Sequence, residues 1–455
     1  MTAAQSAQAP LVVVTSTAPT PNGPLHVGHL AGPFIAGDVA ARAARARGQR
    51  TLTVSGVDPN QNYVRAKAAG AGREPDDLLD EYEALVRHAM RAARISYDLF
   101  NDPRADPGYC ARVAEVLAGL GTRKAISMER TTLTRCGSCG STLHHAYVSG
   151  RCRRCGRESS GGTCEACGAF TTAENLAEVS CARCGGPPEA FTAEIPVLRL
   201  ETYRPALTDA WSRAVLPPRV RSLIGYYLSS GLPDVPLAYP TDWGIPVTSD
   251  ELRVDVWSEM GLGLLGQVAA RINPEAEGLD EYVAAWGEVS ECWHFLGIDN
   301  AFYFAILFPA IFAAAGAPPG VLSGMVVNEF YLLDGLKFST SRGHAVWAHE
   351  FLAQEDPGIV RLFLAWDRPD RFESGFTSQA YKQFREWIQG ALAAGATLPD
   401  ALAVTESGRA RHALEFAGFD PGLALRCLLA AGADREPSVL AALTGDDSLA
   451  VQGVS

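Results

Sequence analysis

No apolar run in these 455 residues approaches the roughly 18–20 needed to cross a bilayer, so a membrane-spanning role is not expected. The opening MTAAQSAQAP lacks the basic start and the apolar core of a secretory signal. It reads as a disordered leader over residues 1–10 of a cytoplasmic protein. Positive charge is scarce too. A net charge of −12 excludes a broadly basic surface for indiscriminate nucleic-acid binding, though a local basic groove stays open. Internal repeats are absent apart from short cysteine pairs. What is present is a globular composition, 47% apolar and 20% charged. The length exceeds one ordinary core and points to roughly two to four units.

Of the eleven cysteines, Cys110, Cys292 and Cys427 are scattered, and the other eight form four C-x-x-C pairs. The pairs are Cys136/Cys139, Cys152/Cys155, Cys164/Cys167 and Cys181/Cys184, each followed by glycine. In a cytosolic chain such spacing favours metal over disulfides. C-x-x-C turns two thiolates onto one ion, and four thiolates close a tetrahedral zinc site with no open position. Eight therefore imply two structural zinc ions, neither catalytic. The pairing stays open between a nested arrangement, inner pairs together and outer pairs together, and a sequential one along the chain.

LVVVTS, residues 11–16, is a β-branched run suited to a strand buried on both faces, and a Pro/Gly-rich turn follows it. A helix is expected from His26 to Gly48, and QRTLTVSGVD reads as the next strand. Strand, glycine turn, helix, strand begins a parallel α/β sheet whose ligands sit at the carboxyl ends of strands. Residues 71–130 read mostly as helix. Composition then shifts to Cys, Gly and Arg until about Gly186, which marks an insertion. The α/β pattern returns in ELRVDVWSEMG and in ECWHFLGIDNAFYFAILFPAIFAAAG. From residue 378 the text is helical, and it trails into GDDSLAVQGVS, expected to be frayed.

His26 and His29 are three apart at the predicted helix start, on one face and beside the positive end of the dipole, an arrangement that favours an anion. Gly28 removes a side chain where a nucleotide could approach, and Asn22 and Pro24 shape the turn.

With these residues in place the chain resembles the class I aminoacyl-tRNA synthetases, in particular the methionyl branch. P-x-P-N-G-P-L-H-V-G-H stands for the first family signature, H-I-G-H. K-F-S-T-S at 337–341 stands for the second, K-M-S-K-S. W-H-F-L-G-I-D-N precedes a buried helix, and the four knuckles match an inserted zinc domain. The resemblance covers about residues 11–377. It implies an α/β fold: a split, doubly wound Rossmann-type catalytic domain in two halves, 11–120 and 246–325. A connective domain over 121–245 would carry the knuckles at 136–184. A signature-loop region would span 326–377, and a short helical region 378–455.

The resemblance also implies ATP, with Mg2+, and attack of an amino-acid carboxylate on the α-phosphate with loss of pyrophosphate. His26, His29 and Lys337 would be catalytic. Gly28, Gly297, Asp299, Ser339, Ser341 and Arg342 would hold ATP, with Asp299 on the ribose. Asp58 would take the substrate ammonium. Thr20, Trp257, Met260, Asn300 and Phe304 would line the amino-acid pocket.

Several positions depart from the family. Thr20 stands for a tyrosine, Met260 and Gly261 for an Ala-Pro pair, Leu264 for a tyrosine, Phe304 for the pocket histidine, and Asn300 for an apolar residue. A pocket shaped for one side chain discriminates others by a few kcal/mol at best, on the order of 10²-fold, so this many changes point away from methionine. Thr340 replaces the second signature lysine. Losing one transition-state donor costs on the order of 10²-fold, and His344 is the nearest replacement cation. After Thr377 only about 78 residues remain, without the Asn-x-x-x-Arg of the family's anticodon reader.

The expectation is an amino-acid-adenylating ligase of specialised metabolism. Its acyl acceptor would be a small molecule, such as an N-hydroxylated amine on the way to a hydrazine, with a separate cupin-type partner. Two alternatives are a reduced methionyl-tRNA synthetase that charges tRNA, and a binding protein that has lost catalysis.

Overall fold

Every residue of Leu11–Ser16 (β1) is buried, as a run of β-branched residues covered on both faces requires. A computed structural model of the chain describes residues 9–247, 251–318, 321–338, 343–394 and 397–451. In it β1 pairs in parallel with Arg50–Gly56 (β2) on one side and with Val289–Gly297 (β4) on the other. Leu99–Asn101 (β3) and Gly324–Asn328 (β5) extend the sheet in parallel, giving the order β5-β4-β1-β2-β3. The order reverses between β1 and β4, which is where open α/β sheets form their ligand crevice.

Alternate residues of β1 face opposite cores. Leu11 and Val13 join Val54, Leu262 and Phe308 on one face, while Val12 and Val14 join Ala36, Ala40 and Phe295 on the other. The helix Ile35–Ala46 (α1) covers the second face, and Val256–Ile272 (α2) belongs to the first. The sheet is therefore doubly wound.

Three local expectations need correction. The helix after the glycine turn is not continuous. A single turn at Val27–His29 gives way to a wide π-type turn at Leu30–Phe34, where Gly32 leaves helical geometry and Pro33 supplies no amide hydrogen. The segment 71–130 also contains β3, three residues too short to show a period. The tail holds a helical turn at Ser448–Val451, whereas residues 1–8 of the expected leader and residues 452–455 of the tail lie outside the described residues.

The inserted segment is built on a long antiparallel hairpin, Ser127–Cys136 with Pro188–Arg199, whose tip carries smaller cysteine-bearing hairpins. The C-terminal helices share a core with α1, including Leu362, Phe363, Phe384 and Leu425. Arg361, fully buried, ties them down. It donates to Asp38 of α1 (2.7 Å) and to the carbonyls of Ala93, Ala442 and Leu443 (3.0 Å each). A buried guanidinium is tolerable here because its donors are paired. Among the described residues no helix is long and apolar enough to cross a membrane.

Candidate active site

The chain leaves β1 through Thr17–Leu25 and leaves β4 through the tight turn Ile298–Asn300, and these two exits border a cleft of about 470 Å³. His26, Gly28, His29, Asp58, Thr20, Trp257, Gly297, Asp299, Asn300 and Lys337 all line it. These predicted residues come from positions more than 300 apart in sequence, and the sheet topology is what gathers them.

The two histidines stack face to face at 3.7 Å, and the other face of His26 stacks on Phe338 at 4.3 Å. Phe338 follows Lys337 in the second signature, so the two signatures touch. Backbone pairing secures the contact: Val27 donates to Val346 and Ala348 donates to Leu25. A Cβ on Gly28 would lie 3.0–3.3 Å from the His26 and Phe338 rings, so glycine leaves room for the stack. The His26 amide donates to His29 Nδ1 (3.1 Å), which assigns the other ring nitrogen of His29 the hydrogen. Burial, reinforced by the neighbouring His29, drives the His26 pKa well below its usual value, and burial alone brings His29 to about 4. Both rings are therefore neutral at physiological pH. They can stabilise a phosphate by hydrogen bonding, and nearby anionic charge would raise their basicity.

On the acidic side, Thr20 donates to Asp58 Oδ2 (3.0 Å). Burial, then the charge of Glu259, pushes the Asp58 carboxyl well above its ordinary range. Glu259 is itself raised to about 8 by burial and accepts from Asn60 (2.8 Å). A buried carboxyl that feels a second negative charge favours a cation that reaches it from the cleft. Asp299 is raised to about 6, first by burial and then by Glu165. A Cβ on Gly297 would collide with Asp299 Oδ1 at 2.5 Å, so only glycine leaves that carboxylate its position. Several cleft atoms are buried without a partner: Thr17 Oγ1, His26 Nδ1, Asp58 Oδ1, Gln61 Oε1 and Asn328 Oδ1. Polar atoms left without a protein partner and gathered in one cleft mark it as a site for a polar ligand.

Not every predicted residue arrives. Met260, within α2, is partly buried against the core, and Phe304 is buried against His294 and Phe308. A helical step of about 100° turns Phe304 away from the cleft, and Tyr303 instead stacks on Trp257 at 3.8 Å. His344 Nε2 lies 3.0 Å from the Leu333 carbonyl. Ser339, Thr340, Ser341 and Arg342 lie outside the described residues.

Sequence reasoning missed one whole wall. Tyr63, His145, Ser160, Thr163 and Glu165 line the cleft, four of them from the insertion. The insertion docks through Tyr63 to Ser160 (2.6 Å), Asn62 to the His144 carbonyl (2.9 Å) and Thr163 to the Asp299 carbonyl (2.6 Å). Lys337 reaches Glu165 (3.0 Å) and lies over the Phe330 ring. The polar run D-P-N-Q-N after β2 was a signal for the neighbourhood of Tyr63 alone; the four residues from the insertion had none.

The cysteines form two tetrads, Cys136/Cys139/Cys181/Cys184 and Cys152/Cys155/Cys164/Cys167, with all four Sγ atoms in each within 4.8 Å of one another. This is the nested arrangement. Each knuckle turns the same way: the amides of Gly140, Gly156, Gly168 and Gly185 donate back to the first cysteine of their pair, each glycine at φ of 71–74°. Sulfur separations of 3.4–3.8 Å across pairs suit a tetrahedral ion at the usual Zn–S length of about 2.3 Å. Both tetrads could hold zinc.

Comparison with known proteins agrees with this geometry. The pattern of the family "tRNA synthetases class I (M)" matches residues 12–389. The methionine–tRNA ligase of Thermococcus kodakarensis is 30% identical over 391 residues, covering 82% of this chain and 52% of that protein. The Pyrococcus furiosus methionine–tRNA ligase is 28% identical over 387 residues, covering 81% and 53%. The chain thus spans about half the length of these relatives. A solved Mycobacterium tuberculosis methionyl-tRNA synthetase in complex with methionyl-adenylate superposes with a TM-score of 0.70 at 19% identity, covering 95% of this chain and 84% of that one, and it shares the fold. With the family pattern spanning both signatures and the insertion between them, the chain belongs to the class I tRNA synthetase family, group M.

Proposed function

We propose that this protein is a ligase that activates an amino acid as its adenylate and passes the acyl group to an acceptor other than tRNA. The observation that carries the first part is the His26 ring held between His29 and Phe338, facing a cleft that also holds Asp58, Asp299 and Lys337. In this reading a substrate carboxylate oxygen attacks the α-phosphorus of ATP and the bond to pyrophosphate breaks. Neutral His26 and His29 donate hydrogen bonds to the phosphates, and Lys337 supplies charge from the signature loop. Asp299 accepts from the ribose, and Gly28 and Gly297 leave room for the nucleotide. Ser339, Ser341 and Arg342 complete the loop. Such chemistry is mainly positioning and charge stabilisation. Magnesium bound with the nucleotide would neutralise part of the phosphate charge. Asp58 takes the ammonium, whose arrival offsets the burial that raises its pKa. Two structural zinc ions hold the insertion. The location is cytoplasmic.

Thr20, Asn300 and the withdrawal of Phe304 support a substrate other than methionine. In this reading the acceptor is a small molecule, and a separate cupin-type protein is its partner in a specialised pathway. A reduced methionine–tRNA ligase fits the family equally well and is favoured by the relatives' names. Thr340 keeps open a third reading, a protein that binds ATP without turnover.

ATP–pyrophosphate exchange across an amino-acid panel without tRNA separates these readings. Exchange driven by an amino acid other than methionine is the expected result. Exchange with methionine alone, and methionine-dependent tRNA charging, would return the protein to translation. Bound ATP with no exchange would mean catalysis is lost.

A further inference from the structure

The wall supplied by the insertion carries polar groups that adenylation does not use. His145 is buried at φ of 45°, a left-handed conformation that a non-glycine residue keeps only where its surroundings hold it. Its Nε2 lies 2.5 Å from Asp255 Oδ2, and the two side chains are 8% and 6% exposed. Asp255 also caps α2, accepting from the amides of Trp257 (3.2 Å) and Ser258 (3.1 Å). Burial pushes its carboxyl up, but His145 and the Ser258 amide outweigh that and draw it below its usual range. An ionised Asp255 can only accept, so a hydrogen sits on His145 Nε2, and Nδ1 is the ring atom left for a ligand: an acceptor in the neutral ring, a donor in the imidazolium.

Nδ1 lies 3.1 Å from the point a Cβ on Gly162 would occupy, and the Tyr303 hydroxyl lies 2.8 Å from the same point. Gly162, at φ of 103°, lines the cleft and tolerates no side chain there on either count. The Tyr303 hydroxyl is buried without a well-formed hydrogen bond among the described residues; the nearby Thr163 hydroxyl gives its own hydrogen to the Asp299 carbonyl and can still accept one. The Tyr303 ring lies flat on Trp257, 6° from parallel. Two hydrogen-bonding atoms thus approach Gly162, which lines the cleft where the insertion meets it, and among the described residues neither has a well-formed hydrogen bond to protein.

We propose that His145 and Tyr303 form the side-chain subsite, and that the amino acid activated here ends in an oxygen-bearing group: a hydroxyl, a carboxamide or a carboxylate. This rests on the activation reading above. A thioether or hydrocarbon entering the subsite would leave both groups unpaired, and sites built to hydrogen-bond reject such analogues far more strongly than apolar pockets reject polar ones.

The test is ATP–pyrophosphate exchange by the zinc-loaded full chain with serine, threonine, asparagine, glutamine, aspartate and glutamate, set against alanine, valine, leucine and methionine. One of the first six is expected to be preferred, and which one separates hydroxyl, amide and carboxylate. Tyr303→Phe removes a single oxygen and keeps the stack on Trp257. It should raise the KM for that amino acid about 10-fold or more, with kcat and the KM for ATP little changed. His145→Gln should do the same provided its zinc content and circular dichroism match the parent. Preference for an apolar or thioether side chain, or an unchanged KM in Tyr303→Phe, overturns the inference and leaves activation standing. Silence across the whole panel overturns the activation reading itself.

Discussion

The two cysteine tetrads share one sequence signature and one knuckle geometry, yet they sit in different surroundings. The inner tetrad is pressed against the catalytic fold. Thr163 donates to the Asp299 carbonyl, Glu165 pairs with Lys337, and Phe170 stacks on Phe302 (4.8 Å). The outer tetrad closes the end of the long hairpin, with Cys139 and Cys184 exposed, and its neighbourhood reaches the rest of the chain through contacts such as Thr142 to the Pro240 carbonyl (2.7 Å). Ligand spacing says that both are staples. Only the contacts say that one staple also holds the turn that carries Asp299.

The largest test of that difference removes one thiolate from each site. Cys164→Ser should lower zinc content from about two ions per chain to one and cut exchange roughly 10²-fold, because a wall displaced by about an ångström misplaces Asp299 and Lys337. Cys184→Ser should lose one ion as well but keep exchange within about 3-fold, since it leaves the cleft wall in place. Metal analysis and exchange on the same preparations check both. Equal losses of activity would mean the insertion acts as one rigid block.

A finer version exchanges two half-buried hydroxyls. Thr163→Val deletes the bond to the Asp299 carbonyl, a bond of this kind being worth about 0.5–1.5 kcal/mol, so the KM for ATP should rise about 3- to 10-fold. Thr142→Val deletes a bond of nearly the same length on the outer side and should leave the KM for ATP unmoved while lowering thermal stability slightly. A matching change in both would erase the distinction.

How much of this was legible beforehand divides along the same line. The β1 run, the glycine turn and the cysteine pairs announce themselves locally, through β-branching, Gly/Pro chemistry and fixed spacing. Thr20, Asp58, Asn300 and Lys337 accordingly fall in the cleft as expected. The break at Gly32-Pro33 was written in the sequence as a proline inside a helical pattern, but alanine-rich text around it masked the signal. Met260 and Phe304 were placed by alignment with a family pattern, and alignment carries no information about which way a helix is turned. The wall made by His145, Ser160, Thr163 and Glu165 had no local signal at all. It comes from loops without period, and it meets the cleft only because the long hairpin folds back across β1 and β4.

The smallest effect is electrostatic. Asp299 is held near 6 mainly by burial and secondarily by Glu165. A carboxylate that must be ionised to accept from a ribose binds better as pH rises through that value, so the affinity for ATP should increase between about pH 5 and 7. Removing a neighbouring negative charge favours ionisation, so Glu165→Gln should move the midpoint downward. Glu165 is 69% exposed and Lys337 45%. Solvent therefore screens the interaction, the shift should be about half a pH unit or less, and the lost ion pair should change affinity by no more than about 5-fold. Because the shift depends on charge, raising the salt concentration should shrink it. Glu189→Gln, beside the outer tetrad, should leave the profile where it was. If Glu165→Gln and Glu189→Gln move the ATP-binding profile alike, the effect belongs to net charge and the inner knuckle has no special hold on the nucleotide side of the cleft.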